Sequence, residues 1–307
     1  MSGVSESPSG TTVEVDGRQL RLSNLDKVLY PEVGFTKAEV IDYYARIAPT
    51  MLTHCSGRCI TLRRFPNGVD APSFFEKRCP KHRPDWVGTY PGPGDRNGLI
   101  GYCAFEERAS LVWAANLAAL EIHTPMSLAA DVETPTMVVF DLDPGPDVGI
   151  GRCCEVALEL RELLSGVDLE AFPKTSGSKG LQVYVPLNTP HTQEHAGSFA
   201  LAAGRVLEQR TPTRITTTMA KRERTGRVFV DWSQNTHHKT TVCAYSLRAR
   251  PTPSVSTPVS WDEVSEAAEG SPLTFLAADV VDRVERMGDL FAATATLAQR
   301  LPGQPAE

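Results

Sequence analysis

The chain has 307 residues, of which 41% are hydrophobic, and 37 acidic side chains against 31 basic ones give a formal charge of -6. That length allows a substantial core in one large or two intimately packed domains, and the acidic balance argues against an indiscriminate nucleic-acid binder. No apolar run approaches a membrane span and the opening MSGVSESPSGTT lacks a basic-then-apolar signal pattern, so a cytoplasmic protein with no membrane partner is expected.

Residues 1–12 are small and polar and are expected to be disordered. Residues 13–22 read as a short hairpin. Thr36 followed by Glu39 is a capping-box pattern, and Val40, Tyr43, Tyr44, Ile47 and Met51 recur at helical spacing, which predicts a helix over 37–52. Residues 59–62 read as a strand leading into a turn at 63–68. Phe74 and Phe75 stand together beside a basic stretch, either as a core pair or as an exposed platform for stacking bases. Residues 91–95 offer only turn chemistry. The Ala-rich run from Ser110 to His123 suggests a buried helix or a helix-to-strand junction, with a histidine at its end that by itself reads as structural.

The stretch Met137-Val138-Val139-Phe140-Asp141-Leu142-Asp143-Pro144-Gly145 is an apolar run that finishes on two acids. In a strand, Asp141 and Asp143 share the face of Val139, while Val138, Phe140 and Leu142 pack behind. Two carboxylates about 4 Å apart repel by roughly 4 kcal/mol at an effective dielectric of about 20, so both ionise comfortably only beside a cation. A hard divalent ion with oxygen ligands, Mg2+ or Mn2+, is the candidate, and a strand ending in a solvated Pro-Gly turn is the alternative.

A helix ending near Gly166 follows, then Lys174-Thr175-Ser176-Gly177-Ser178-Lys179-Gly180 and an alternating strand over 181–185. Glycines, hydroxyls and a lysine between elements suit a phosphate cradle, although the spacing is not that of a Walker A loop. A helix over 194–209 precedes Arg227-Val228-Phe229-Val230-Asp231-Trp232, a second apolar strand ending on a carboxylate, which makes Asp231 the natural third metal ligand. Residues 251–258 read as a Pro/Ser/Thr-rich excursion, 262–268 as a short helix, 273–297 as a helical C-terminus and 302–307 as tail.

Charge is segregated. Arg58, Arg63, Arg64, Lys77, Arg78, Lys81 and Arg83 face only Asp70 and Glu76 between residues 57 and 83, and the stretch 214–250 holds eight basic residues against Glu223 and Asp231. Such local basic surface attracts phosphates, or is simply a solvated face. The seven cysteines are scattered and odd in number, which fits reduced thiols; Cys55, Cys59, Cys79 and His82 form one loosely spaced candidate zinc set.

Several motifs stand in one order: Asn24-Leu25-Asp26-Lys27-Val28-Leu29-Tyr30-Pro31, Phe74-Phe75-Glu76-Lys77, Glu121-Ile122-His123, Phe140-Asp141-Leu142-Asp143-Pro144-Gly145, Ser176-Gly177-Ser178-Lys179-Gly180-Leu181, Asp231-Trp232-Ser233-Gln234-Asn235 and Tyr245-Ser246-Leu247-Arg248. From about residue 20 to 290 the chain resembles the polymerase domain of bacterial multifunctional DNA ligases of end joining (ligase D type), within the archaeo-eukaryotic primase superfamily. The resemblance implies an α/β (α+β) primase-like core over 13–295, with largely antiparallel sheets flanked by helices, an active site in a central cleft, and a tail from 296 to 307. It also implies a template-directed nucleotidyltransferase that fills gaps or extends ends in double-strand-break repair.

By the same resemblance, Asp141, Asp143 and Asp231 would hold two divalent ions, Mn2+ or Mg2+. Ser176, Lys179, Arg224 and Arg248 would grip the triphosphate of an NTP or dNTP, with His123 beside the nucleotide and Gln234 near its ribose. Lys27 and Lys37 would receive a 5′-phosphate at a gap or break, and Arg64, Phe74 and Phe75 would support the template. Ku and a separate DNA ligase are candidate partners, and the expected location is the bacterial cytoplasm, associated with the nucleoid. No Lys-x-Asp-Gly ligase motif occurs, so a stand-alone polymerase unit is expected.

One departure stands out: the family's second motif ordinarily ends in histidine, and this chain has Gln182. Glutamine can donate and accept a hydrogen bond but carries no positive charge toward phosphate. A DNA-end-binding module of the same fold with weakened chemistry is therefore the alternative. A haloacid-dehalogenase-like phosphatase also uses an Asp-x-Asp strand, but Pro144-Gly145-Pro146 follows here. The polymerase reading requires the Asp231 carboxyl within about 10 Å of the other two, the reach of shared ions.

Overall fold

The structure is a computed structural model and describes residues 10–94 and 98–303. Two sheets carry the architecture. A five-stranded sheet runs in the order Phe172–Thr175, Leu181–Pro186, Met137–Pro144, Val228–Asp231, Ile215–Thr216, and every pairing is antiparallel except the last. A four-stranded antiparallel sheet runs Thr241–Val242, Ala119–Thr124, Thr61–Arg64, Phe74–Glu76. This is the expected mixed α/β class.

The first half of the strand Met137–Pro144, up to Phe140, is apolar throughout because both of its faces are covered. Val138, Phe140 and Leu142 pack with the helices Ile150–Ser165 and Gln193–Arg210, whereas Met137 and Val139 join a second core built on the helix Lys37–Cys55 and the helix Arg108–Asn116. The period-2 alternation thus assigns one strand to two cores, and past Val139 the second face opens into the cleft that receives Asp141 and Asp143.

Local signals hold closely. Thr36 caps the first helix: its hydroxyl accepts from the Glu39 amide, and the Glu39 carboxylate accepts from the Thr36 amide at 2.7 Å. The early hairpin is Thr11–Val15 with Arg18–Leu22, so its first strand begins inside the segment expected to be disordered; residues 1–9 lie outside those described. The Ala-rich run is indeed a junction, a helix to Asn116 and then the strand Ala119–Thr124.

Four expectations are corrected. Thr89–Pro93 is a strand paired with Leu99–Cys103 rather than a bare turn, with Asp95 outside the described residues. That hairpin brings Cys103 to 4.8 Å from Cys79 at Cα, and the two form a disulfide, so the cysteines are not all reduced and Cys79 is withdrawn from the zinc set. Residues 251–258 are no surface excursion: Val255, Ser256 and Thr257 are fully buried, Val255 bridges to Leu247 and Pro258 to Lys174, and the Ser254 and Ser256 hydroxyls donate to the Gly177 and Thr175 carbonyls. The C-terminal helix covers only Ala277–Met287, ending at Gly288 with φ of 70°, followed by a single 3-10 turn. Among the described residues no helix is long and apolar enough to cross a membrane.

Removing the Thr36 hydroxyl leaves the first turn of the longest helix with an unmatched amide. Thr36→Ala should cost about 1 kcal/mol of unfolding free energy, read as a lower urea midpoint at an unchanged m-value.

Candidate active site

Antiparallel pairing sets Asp141 directly opposite Asp231, and Asp143 opposite Phe229. Paired residues share a face and lie about 4.5–5.5 Å apart at Cα, so the three acids meet on one face, Asp231 at the end of its strand and Asp141 and Asp143 in the second half of theirs. Burial first, then the Asp143 charge, pushes the Asp141 carboxyl up to about 7, and a hydrogen bond from Gln182 works against the rise. Asp143 is raised by burial and by Asp231, with Arg224 and Arg248 opposing. The Asp231 carboxylate caps its own turn, accepting from the Ser233 amide at 3.0 Å, the Ser233 hydroxyl at 2.6 Å and the Gln234 amide at 2.8 Å. In this arrangement no three His, Cys, Asp or Glu side chains among the described residues form a ready ligand cage.

The loop after the strand Phe172–Thr175 closes by a hydrogen bond from the Ser176 amide to the Gly180 carbonyl at 2.9 Å, and the Ser176 hydroxyl accepts from the Ser178 and Gly180 amides. Its glycines are obligatory. A Cβ on Gly180 would stand 2.3 Å from the Leu142 carbonyl, and Gly177, at φ +66°, has the Ser256 amide and the Arg248 side chain where a Cβ would go. The loop is thereby pressed against the acidic strand, with Lys179 exposed at its tip.

Arg248 closes the other side, giving one N–H to the Ser176 carbonyl at 2.7 Å and another to Glu121 at 3.1 Å. Glu121 is 1% exposed and also meets Arg63 at 3.3 Å, His123 at 3.1 Å and the Ala249 amide at 3.1 Å. Burial works to raise its carboxyl, but the His123 hydrogen bond and the Arg248 and His123 charges outweigh it and hold Glu121 well below the usual carboxylate range. His123 is lowered by burial, against the pull of Glu121. Arg224 lies 3.6 Å over the Phe229 ring and donates to the Met219 carbonyl, with its buried Nε unpartnered. Gly145 lets that segment pass, since a Cβ there would overlap the Arg224 carbonyl.

A second basic group gathers beyond this cleft. Lys37 is 5% exposed, donates to the Ser23 carbonyl at 2.6 Å, and is lowered to about 8 by burial and then by the neighbouring charges of Lys27 and Arg64. Arg64 pairs with Glu76 at 2.9 Å and lies 5.3 Å from the Phe74 ring, while Lys27 bonds Asn67. Phe74 and Phe75, 45% and 58% exposed, are not a core pair. Alternation sends them to opposite faces: Phe74 joins Arg64, and Phe75 meets Arg63 and His123 at ring distances of 5.3 and 5.5 Å.

The sequence profile of the family described as LigD, primase-polymerase domain, matches residues 36–291. The chain belongs to the LigD primase-polymerase family. It is 44% identical over 290 residues to the multifunctional non-homologous end joining protein LigD of Mycolicibacterium smegmatis, covering 92% of this chain and 37% of that protein. The bifunctional LigD of Bacillus subtilis is 29% identical over 271 residues, covering 88% of this chain and 43% of its own. The chain therefore spans well under half the length of these relatives. A solved structure, the polymerase domain of Mycobacterium tuberculosis ligase D in complex with DNA, superposes with a TM-score of 0.85 at 40% identity, covering 91% of this chain and 99% of that one.

Membership in the LigD primase-polymerase family makes the chain a primase-like nucleotidyltransferase. Of the residues singled out from sequence, Asp141, Asp143 and Asp231 meet across paired strands, Gln234 bonds Asp231, Arg224 and Arg248 act on Asp143, Arg248 links Ser176 to Glu121 and so to His123, and Phe75 packs on His123; Lys179 is exposed on the Ser176 loop. Lys27, Lys37, Arg64 and Phe74 form the neighbouring group. The proposed zinc set does not assemble: Cys79 is disulfide-bonded and Cys55 lies 3.6 Å from Cys243. Sequence reading missed the part played by Glu121, Arg63 and Lys174; the only available signal was an acid or base inside an otherwise apolar strand.

The Asp141 carboxyl keeps its proton to about pH 7 when folded, whereas the unfolded chain releases it near the ordinary value of 3.8. Stability from this group is thus fully present at low pH and lost as pH rises through 7. In chelator-containing buffer, Asp141→Asn should be more stable than the parent at pH 8 by on the order of 1–3 kcal/mol and nearly equal at pH 4. Scanning calorimetry at the two pH values checks this, and a variant less stable at pH 8 would contradict the assigned repulsion.

Proposed function

We propose that the chain is a template-directed, divalent-metal-dependent polymerase that fills gaps or extends ends of DNA during end joining, using NTPs or dNTPs. The observation that carries the reading is the apposition of Asp141, Asp143 and Asp231, with the charges of Arg224 and Arg248 acting on Asp143. The donor chemistry fits hard cations: three carboxylates, two of them raised by burial and mutual repulsion, gain by sharing positive charge. Asp231 retains lone pairs beyond the three hydrogen bonds of its turn.

Asp141, Asp143 and Asp231 would hold two ions, Mn2+ or Mg2+. When bound, these would supply a Lewis-acid clamp for attack of a primer 3′-hydroxyl on the α-phosphorus and departure of pyrophosphate. The chain's own residues do the rest. Lys179 contributes a mobile point charge, and Arg224 and Arg248 bring planar guanidinium groups to the triphosphate. Glu121 pre-orients Arg248 and His123, so that His123 meets the nucleotide from a fixed position. Gln234, held by its hydrogen bond to Asp231, would lie near the ribose. Phe74, Phe75 and Arg64 would support the template strand, and Lys27 and Lys37 would receive a downstream 5′-phosphate, since the like charges crowded around Lys37 relax when an anion arrives. Ku and a separate ligase are the expected partners.

The test is extension of a gapped, 5′-phosphorylated duplex by purified protein with Mn2+ or Mg2+, NTPs and dNTPs compared side by side. Asp141→Ala or Asp143→Ala should reduce extension by at least about a hundredfold, the scale of a lost electrostatic contribution to the transition state. No extension by folded parent protein under any metal and nucleotide combination would sink the reading. Separately, Lys27→Ala with Lys37→Ala should erase the preference for a 5′-phosphate in an end-binding assay while leaving affinity for a 5′-hydroxyl end nearly unchanged. Equal losses on both ends would remove these lysines from phosphate recognition.

A further inference from the structure

Gln182 is buried directly beside Asp141, its partner in the antiparallel register. Behind it stands Lys174, 1% exposed, its own register partner on the opposite side. The Lys174 amine donates to Gln182 Oε1 at 2.5 Å and to the Ser256 hydroxyl at 2.6 Å, and the Ser256 hydroxyl donates in turn to the Thr175 carbonyl at 2.8 Å. The Tyr184 hydroxyl gives a second bond to Gln182 Oε1 at 3.2 Å and is itself tied to Thr241 at 2.8 Å.

A primary amide has one accepting and one donating end. Two donors converge on the Gln182 oxygen, so its NH2 end is the one turned toward Asp141, and it hydrogen-bonds that carboxylate. An ammonium cannot reverse the direction, since it only donates, and the Tyr184 hydroxyl points its bond at the same oxygen. The amide is held from behind, in the only orientation that serves an acid in front.

We infer that Lys174 and Gln182 are positioning residues that act in series on Asp141, fixing its carboxylate for cation binding by hydrogen bonds donated from Lys174 to Gln182 and from Gln182 to Asp141, with Ser256 anchoring the Lys174 amine as its second acceptor. The inference rests on the metal-dependent reading above. It also accounts for the absence of histidine at position 182. A neutral imidazole has one acceptor and one donor, so it can take a hydrogen bond from Lys174 and give one to Asp141 as the amide does, and the positive group sits one residue behind in either case. Burying a lysine against a glutamine is costly where apolar residues would pack as well, which argues for a task other than filling the sheet.

The probe is Mn2+ itself, titrated into metal-free full-length chain and followed by the paramagnetic resonance of the free ion, with gap extension measured in parallel. Lys174→Met and Gln182→Met should each weaken Mn2+ binding by about tenfold, the usual scale for a group that orients a metal ligand. The double variant should be no weaker than the poorer single variant, since both cut one chain. Gln182→His should stay close to the parent, and binding of a 5′-phosphorylated end should be unchanged throughout.

Unchanged Mn2+ affinity in folded Lys174→Met, or additive losses in the double variant, would overturn the inference. If Lys174→Met does not fold, the contrast between Gln182→Met and Gln182→His decides, because equal Mn2+ affinity in those two also overturns it. A parent that binds Mn2+ but never extends DNA defeats the polymerase reading while the Mn2+ comparison still judges the positioning chain. A parent that binds no Mn2+ defeats both.

Discussion

Carboxylates facing each other across one pair of antiparallel strands set the terms for the rest of the molecule. The pairing of Met137–Pro144 with Val228–Asp231 leaves Asp141 no freedom to retreat from Asp231. Slipping either strand by one residue would turn its acids into the core packed with Val138, Phe140 and Leu142. The repulsion is therefore built in, and neighbouring elements answer it. Gln182 donates to Asp141, Arg224 and Arg248 lower Asp143, and the loop at Ser176–Gly180 is pressed onto the same strand by a glycine that could not be any other residue.

A second buried acid organises the positive side. Glu121 sits inside an apolar strand and is tolerable there because Arg63, Arg248, His123 and a backbone amide all reach it. The arrangement spends one negative charge to aim several donors, and Arg248 carries it onward by grasping the Ser176 carbonyl. The four-stranded sheet, which supplies Glu121 and His123, is thus coupled to the Ser176–Gly180 loop of the five-stranded sheet. Neither sheet alone holds both signs of charge in working position.

Net charge conceals this division. The chain is acidic overall, yet Lys27, Lys37 and Arg64 crowd together closely enough to lower Lys37, and the two phenylalanines between the basic groups point to opposite faces of one short strand. One ring faces the His123 cleft and the other the lysine group, so a strand laid across Phe74–Glu76 would touch both sites at once. Local basic patches and exposed aromatics suit a flexible, stacked ligand better than a flat protein partner.

How much of this was legible beforehand depends on the range of the interaction. The Thr36 and Glu39 cap, the helices and the placement of Asp141 and Asp143 on one face follow from residues a few positions apart, and ordered motifs identified the family. Sequence also put Asp231 at a strand end, but it could not name the partner: the register with Asp141 is a contact across 90 positions of chain. The same limit hid Glu121 from Arg248, Lys174 from Gln182, and Cys79 from Cys103 until the hairpin beside it was in place. It also turned residues 251–258 from an excursion into a buried bridge. Periodicity decides which face of an element a side chain takes. Which charge waits on the facing element, and whether water is excluded between them, is decided only by tertiary packing, because desolvation and register belong to pairs of elements and not to either one.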